Sequence, residues 1–547
     1  MLHRGRALIV STLLLAASMP AQSPTAEKTP AVRLLSGVGN IHHPVSTRNP
    51  EAQAYFDQGL SLVYGFNHEA AARSFRRAAE LDPGLAMAWW GVAEAVGPNY
   101  NDPASPNRFQ QGHEAVQKAV ELSAQASPRE RDYILAMVKR FPAGSNRDFH
   151  RAAEDYRDAM RELMHKYPGD LDAAVLFAES AMDLHAWSLW QKNGAAAEGT
   201  EEIVATLESV IQRDPDHIGA LHYYIHAVEA SPNPQRALSA AERLAADAPA
   251  AGHLVHMPAH VYVRTGDYDL AVQTNEKAAV VDRNYIANSG APGSYSLTYY
   301  SHNLHFMAYA ASMDGDYARA REAAEALANH VRLPAKEVPS LEGFLIVPLS
   351  VMMRFQRWNE ILKQAPPDPG LPLLGAWWHF ARGMALAAKG NTGTAQAERQ
   401  KLHSAELATP PDALFAMSLN NHAGDILKIA GDVLNAKITV ASRHYTEAVA
   451  ALRAAVAVQD RLDYEEPPAW FYPVRESLGA VLLMSGDASA AEKVFRDDLE
   501  QNPRNPRSLF GLQQALKRQG REDEATSAET QFRAGWKGSP LQLDDLI

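Results

Sequence analysis

The chain has 547 residues, a net charge of −12 and no cysteine, and 46% of its residues are hydrophobic. The hydrophobic content is that of a globular protein rather than a disordered one, and the acidic charge excludes a general nucleic-acid binder, which needs a basic face. The absence of cysteine excludes disulfides, Fe–S clusters, c-type haem attachment and Cys-ligated zinc, so histidine and the carboxylates remain as the main metal ligands.

The first residues have the pattern of an export signal. A basic start at residues 3–6 is followed by an apolar run over residues 7–17 and then by small residues, and this run is too short to span a membrane. We predict a signal peptide at 1–21, with an N-terminal anchor as the alternative, and a flexible linker at 22–46 that is rich in Pro, Ser, Thr and Ala. We therefore expect a bacterial protein that is periplasmic or secreted and has no membrane span after signal removal.

From residue 52 onwards, apolar residues recur with the spacing of paired helices. In the first unit Tyr55 and Gly59 mark one helix, Phe75 marks the second and Pro83 ends it. Similar units recur along the chain, and no stretch has the alternating pattern of a β-strand. The pattern predicts an all-α, right-handed superhelical solenoid of about 11–12 helical pairs, in which the first helix of each pair lies on the concave wall.

Histidine is concentrated in the middle of this array. We divide the array into N-terminal repeats at 47–216, central histidine-rich repeats at 217–332 and C-terminal repeats at 333–538. In each central repeat, the first alanine in the apolar pattern of the second helix is called position 20, and the first helix is numbered back from it. Positions 2, 5 and 9 are spaced so that they share one helix face, which lines the concave groove. In three successive first helices, seven of these nine positions are histidine: His222, His226, His253, His256, His260, His302 and His305.

Clustered imidazoles indicate metal binding, because neutral imidazole is the commonest metal ligand and protonated imidazoles repel one another. Four ligands saturate a structural zinc ion and three leave a catalytic position open, so seven histidines predict one or two transition-metal ions, with copper, zinc or iron as candidates. Pro258 interrupts its helix, which is expected either to bend there or to begin near Met257. Further candidates for catalysis in or near these helices are Glu229, Tyr309, Glu179, Asp183 and His185.

Two hypotheses for function remain open. The first is a metal-dependent hydrolase or oxidoreductase that takes a small molecule or peptide into the groove. The second is a non-enzymatic scaffold that holds a peptide or a protein partner in the same groove. No nucleotide cofactor is expected, because the sequence lacks a Walker A motif. The Pro-rich segment 463–475 is expected to be a lid or a linker packed between repeats.

Three sequence blocks resemble a known superfamily: FNHEAAARSFRRAAELDPGLAMAWWGVAEAVGPNYN, LHYYIHAVEAS and HMPAHVYVRTGDY. Together with the repeat spacing over 52–536, they resemble the tetratricopeptide-repeat (TPR) superfamily, and more narrowly a group of bacterial TPR proteins with HYYIHAVEAS and HMPxH blocks. The resemblance implies a helical-repeat fold and peptide or partner binding in the concave groove, commonly through Lys and Asn at positions 2, 5 and 9. Histidine replaces those residues here, which favours metal chemistry over that mode of peptide binding.

Overall fold

The computed structural model describes residues 32–103, 105–144, 148–289 and 293–547. The predicted signal peptide at 1–21 and the first part of the predicted linker lie outside these residues. Within the described ranges the chain forms α-helices, short 3-10 and π segments and isolated β-bridges, but no β-strand. No helix in these ranges combines the length and the apolar character needed to cross a membrane.

The described helices form twelve successive pairs, in each of which a first helix is followed by a second. Pairs 1–4 are Pro50–Tyr64 with His68–Leu81, Ala86–Val96 with Pro106–Leu122, Pro128–Arg140 with Phe149–Lys166, and Leu171–Met182 with Thr200–Arg213. Pairs 5–8 are Ile218–Glu229 with Leu238–Asp247, Gly252–His256 and Pro258–Thr265 with Tyr268–Ser289, Ser301–Asp314 with Tyr317–Val331, and Val347–Arg354 with Trp358–Lys363. Pairs 9–12 are Pro372–Ala388 with Thr392–Ala408, Ala423–Ala441 with Tyr445–Gln459, Val474–Ser485 with Ala488–Gln501, and Pro506–Arg518 with Glu522–Gly535. The prediction of an all-α solenoid of about 11–12 helical pairs is confirmed.

Glycines on the first helices allow neighbouring pairs to approach closely. A Cβ atom at Gly59 would lie 2.6 Å from the ring of Phe75, and one at Gly91 would lie 2.3 Å from the same ring. Phe75 is fully buried and fills the space between the first helices of pairs 1 and 2. Two glycines of pairs 11 and 12 enclose Phe495 in the same way. This glycine and phenylalanine spacing is what makes the repeat readable in the sequence.

Helices that are several pairs apart also touch, so the concave side is enclosed. The ring of Tyr64 in pair 1 packs against Gly219 in pair 5, where a Cβ atom would lie 2.7 Å from it. The hydroxyl of Tyr268 in pair 6 donates to the carbonyl oxygen of Pro503, between pairs 11 and 12, at 3.4 Å. The first helix of pair 5 is therefore covered by pair 1, and pair 6 contacts the connection between pairs 11 and 12.

The described part of the predicted flexible linker, residues 32–46, is bound to the array. The backbone N–H of Leu35 donates to Gln58 at 2.6 Å, and His43 Nδ1 lies 2.7 Å from the carboxylate of Asp172. Burial alone would lower the pKa of His43, but Asp172 raises it above its usual value. The Pro- and Ser-rich composition thus indicates a segment without helix, and its polar groups find partners on the neighbouring pairs.

Candidate metal centre

Six of the seven predicted histidines meet in one buried cluster where pairs 5, 6 and 7 adjoin. Neighbouring rings within it have centroids 4.8 to 5.3 Å apart. His302 of pair 7 is half-buried, whereas the other five members are at most 1% exposed: His222, His226, His253, His256 and His260. The predicted histidine lattice therefore brings side chains from three successive pairs to one place.

Within the cluster, two triads of histidines are each compact enough to hold one ion. The first consists of His222, His226 and His253, and the second of His256, His260 and His302. In each triad one ring nitrogen from every member lies within 4.8 Å of the others. Three imidazoles per ion leave a coordination position open, as in catalytic metal sites.

Fixed acceptors orient two histidines of the first triad. His222 Nδ1 lies 2.6 Å from the backbone carbonyl oxygen of Tyr64, and His226 Nδ1 lies 3.0 Å from a carboxylate oxygen of Glu229. Because a carbonyl and a carboxylate can only accept, Nδ1 of each ring carries the proton and Nε2 carries the lone pair. This is the tautomer in which histidine binds a metal through Nε2 while Nδ1 holds the ring in place.

His256 of the second triad is oriented in the same way. Its Nδ1 lies 2.6 Å from the amide oxygen of Asn275. The amide of Asn275 is itself fixed, because its NH2 group donates to the carbonyl of Ala271 at 2.8 Å. The Nε2 atoms of His226, His256 and His260 are buried without a hydrogen-bond partner among the described residues. Buried polar atoms rarely lack a partner, and here three ring nitrogens do so within one cluster.

A break in the first helix of pair 6 aims its histidines. Gly252–His256 and Pro258–Thr265 are separate helical segments joined at Met257. Proline has no N–H and its ring displaces the carbonyl four residues earlier, which interrupts the helix and favours a bend there. Of the two expected outcomes, a late start near Met257 is wrong, because His253 and His256 lie in the helical segment before Met257 and His260 lies in the one after it.

Two carboxylates meet at His260. Its Nδ1 lies 2.6 Å from Glu229 Oε2 and 3.2 Å from Glu466 Oε2, although neither oxygen lies in the direction of the ring N–H. Burial would lower the pKa of His260, but the two carboxylates raise it to about 10. Without a metal ion, His260 is thus an imidazolium held between two carboxylates. Burial and neighbouring imidazoles instead hold pKa values well below the usual range for His222, His253, His256 and His302.

Glu466 was not among the predicted site residues. It belongs to the segment 463–475, which crosses the concave side and brings Glu466 to His260 and Phe471 to His305. The ring of Phe471 is parallel to that of His305, with centroids 5.6 Å apart. The segment therefore covers the cluster. In the sequence, only the two adjacent glutamates before two prolines indicated a role for this segment. That pattern does not predict which helix the glutamates contact.

The remaining predicted site residues lie outside the two triads. His305 packs between Phe344 and Phe471, and Tyr309 packs against Phe471. Glu179 and Asp183 lie 3.8 and 3.0 Å from the guanidinium of Arg140, and His185 is half-buried two residues after Asp183.

Of the candidates for catalysis, Glu179 and Asp183 pair with a buried cation, the guanidinium of Arg140, and not with the histidine triads. Burial and nearby Glu94 raise the pKa of Asp183 to about 7, although Arg140 opposes the shift. The sequence did not reveal this competition, because Arg140 comes from the preceding pair.

A cavity of about 430 Å³ lies against the cluster. Six histidines form part of its wall, five of them from the predicted set: His68, His226, His253, His260, His302 and His305. Much of the remaining wall is aromatic, and the ring of Phe66 lies 5.5 Å from that of His253 between centroids. Ligand cavities in proteins range over about 300–1,000 Å³, so this space is adequate for a small organic molecule next to the triads.

The helical pairs and the cluster define the chain as an all-α solenoid with a buried histidine cluster. No family model matches the chain, and no curated protein matches its sequence. Among solved structures, the human IFIT1 dimer with PPP-AAAA is 13% identical, with 87% of this chain and 88% of that chain covered and a TM-score of 0.33. Yeast Tom70 is 13% identical, with 89% and 97% covered and a TM-score of 0.32. Ypp1 is 8% identical, with 90% and 82% covered and a TM-score of 0.45. These values carry no statement about the function of this chain.

Proposed function

We propose that the protein binds one or two transition-metal ions through its two histidine triads and acts as a metal-dependent enzyme on a small molecule in the adjoining cavity. One observation carries this proposal. The Nδ1 atoms of His226 and His256 are fixed by acceptors, and their Nε2 lone pairs are buried without a partner in the described structure. A packing role for these rings would not require that arrangement, whereas metal ligation does.

The donor set narrows the metal and the chemistry. Imidazole-only triads favour copper or zinc, and recruitment of Glu229 or Glu466 would favour iron. A metal with an open position supplies either an activated water for hydrolysis or a binding site for oxygen chemistry. The chain itself supplies the fixed imidazoles, the carboxylates that hold His260, and walls that exclude bulk water from the triads. Hydrolase and oxidoreductase both stay open.

Elemental analysis of the full-length protein, purified without a histidine tag, tests the proposal. We expect about one or two ions per chain. His226→Ala and His256→Ala each remove a ligand from a different triad, and each is expected to weaken binding at least about tenfold. His403→Ala is the control, since that ring is 62% exposed and contacts Glu406. Less than about 0.2 ion per chain, with no uptake of Zn²⁺ or Cu²⁺ on titration, would overturn the proposal.

The scaffold hypothesis makes the opposite prediction. A protein partner held in the groove would bind equally well before and after chelation. At pairs 5–7, however, the histidine face is covered by Glu466 and Phe471 of the segment 463–475. An extended peptide would have to displace that segment, so we place the scaffold second.

Export from a bacterial cytoplasm is part of the same proposal. It rests on the N-terminal pattern alone, since residues 1–21 lie outside the described residues. The mature N-terminus of protein from a cell-envelope fraction is expected after about residue 21. An intact N-terminus, found together with a cytoplasmic location, would contradict export.

A further inference from the structure

We infer that the cavity beside the triads takes an uncharged, largely aromatic organic molecule and rejects one that carries negative charge away from the metal end. The inference deepens the proposed function, on which it rests, by naming the class of molecule that would react there. It is drawn from the residues of the cavity wall other than the histidines, which the metal hypothesis does not use.

The wall is built from aromatic rings supplied by distant parts of the chain. Phe66 follows the first helix of pair 1, Trp187 follows that of pair 4, and Tyr299 precedes pair 7. Phe344 precedes pair 8 and Trp377 belongs to pair 9. Flat rings on several sides favour a flat, apolar ligand body, which gains hydrophobic burial and ring-to-ring contact.

Backbone strain is concentrated in the same wall. Phe66, Trp187 and Ala416 have positive φ angles of 55°, 59° and 54°, and all three line the cavity. Residues other than glycine are strained in such a conformation. Strain of this kind persists where the surrounding structure holds it and is common at ligand clamps. Two of the three strained residues present an aromatic ring to the cavity.

Outside the histidine cluster, the charged groups of the wall are all acidic. None of the described residues that line the cavity is lysine or arginine, whereas four are acidic: Glu69, Asp102, Glu465 and Glu466. A metal ion in the triads would accept one anionic group at the histidine end. Any further negative charge on the ligand would face carboxylates and have no counter-ion, which is costly in a partly desolvated site. Nucleotides and other polyphosphates are thereby disfavoured.

A matched pair of probes tests the inference by titration calorimetry. Naphthalene-2,6-diol and naphthalene-2,6-disulfonate share one ring body, and the second sulfonate stays remote from the metal end whichever way the molecule enters. We expect the diol to bind at least about tenfold more tightly than the disulfonate, both to the protein as purified and after zinc loading. Equal or tighter binding of the disulfonate, or no binding of the diol to either form, would overturn the inference.

Two variants and a control locate the binding. Val347→Phe fills part of the cavity, and we expect it to lower the affinity for the diol at least about tenfold. Met417→Lys places a cation at a half-exposed wall residue and should reduce the difference in affinity between the diol and the disulfonate. Leu414→Lys adds the same charge on the same loop, at a residue 46% exposed and outside the cavity wall, and should leave both affinities unchanged. An effect of Leu414→Lys equal to that of Met417→Lys would contradict the assignment to this cavity.

Failure of this inference is distinguishable from failure of the proposed function. If the protein binds metal but not the diol, the class of ligand is wrong and the metal centre stands. If the diol binds and its affinity falls in Val347→Phe while no metal is taken up, the cavity assignment stands and the metal proposal fails.

Discussion

Glu229 holds two histidines at once, one from each triad. Its Oε1 accepts from His226 Nδ1 at 3.0 Å, and its Oε2 lies 2.6 Å from His260 Nδ1. Oε1 thus orients the His226 ring by a hydrogen bond, whereas Oε2 attracts the His260 ring by its charge without lying along the ring N–H. Single carboxylates that orient ligands typically change metal affinity by about 10–100-fold when they are removed.

Replacing Glu229 with glutamine is therefore expected to weaken metal binding by about 10–100-fold. The glutamine oxygen can still accept from one ring, but its NH2 group would face the other and favour a proton on the nitrogen that should bind the metal. Glu466→Gln should have a smaller effect, because Glu466 contacts one histidine of the cluster, His260 at 3.2 Å, and its other oxygen accepts from Tyr464. Competition titration with a metal-binding dye measures the affinities.

Glu465→Gln serves as the control for these two variants. Glu465 neighbours Glu466 in the chain, but its carboxylate accepts from the Ser418 hydroxyl. We expect the metal affinity of Glu465→Gln to equal that of the unsubstituted protein. The same loss in all three variants would show that the charge of the region, and not the orientation of the rings, controls binding.

At the scale of helices, much of the site was predictable from local periodicity. The spacing of three and four residues placed His222 and His226 on one face, and the same rule brought in His302 from pair 7. That rule did not separate His302 from His305. One face of a first helix contacts both the preceding and the following pair. His302 packs towards pair 6, whereas His305 packs against Phe344, which precedes pair 8. Such a choice depends on packing between pairs, which one helix does not encode.

The proline bend in pair 6 is an element-scale device that can be tested. Pro258→Ala restores an N–H and removes the ring that displaces the preceding turn. The two segments can then join into one helix, which would rotate His253 and His256 relative to His260. We expect metal affinity to fall at least about tenfold, equivalent to roughly 1.4 kcal/mol of binding free energy, while the helical signal in circular dichroism is retained.

Pro372→Ala is the matched control for the bend. Pro372 occupies the first turn of its helix, where the missing N–H costs no hydrogen bond. Metal affinity should not change in this variant. If Pro258→Ala also left the affinity unchanged, the bend would not be needed to aim the histidines.

At the scale of the whole molecule, the superhelix completes the site by bringing together residues that are distant in sequence. Tyr64 of pair 1 holds His222 of pair 5, and Glu466, which precedes pair 11, reaches His260 of pair 6. The sequence predicted the number of pairs, because each pair follows a local pattern. It could not predict these contacts, because they depend on the small rotation between successive pairs, summed over many repeats.

The contact between pair 6 and the connection before pair 12 allows this closure to be tested. Gly266 ends its helix at φ 78°, and a Cβ atom there would lie 2.0 Å from the carbonyl oxygen of Pro503. Gly486 ends its helix at φ 93°, and a Cβ atom there would meet nothing within 4 Å. At both positions, the positive φ angle destabilises alanine by about 1–2 kcal/mol relative to glycine. Only Gly266→Ala also forces two turns of the superhelix apart.

We therefore expect Gly266→Ala to lower the free energy of unfolding by about 1–3 kcal/mol more than Gly486→Ala does, as measured by urea denaturation. Because Arg264, two residues before Gly266, lies over the ring of Tyr464, displacement of this turn should also disturb the segment that carries Glu466. Metal affinity should then fall in Gly266→Ala and stay unchanged in Gly486→Ala. Equal losses of stability in the two variants would mean that the side chain of alanine at position 266 does not force pair 6 away from Pro503. A stability difference without any change in metal affinity would separate the closure of the superhelix from the metal centre.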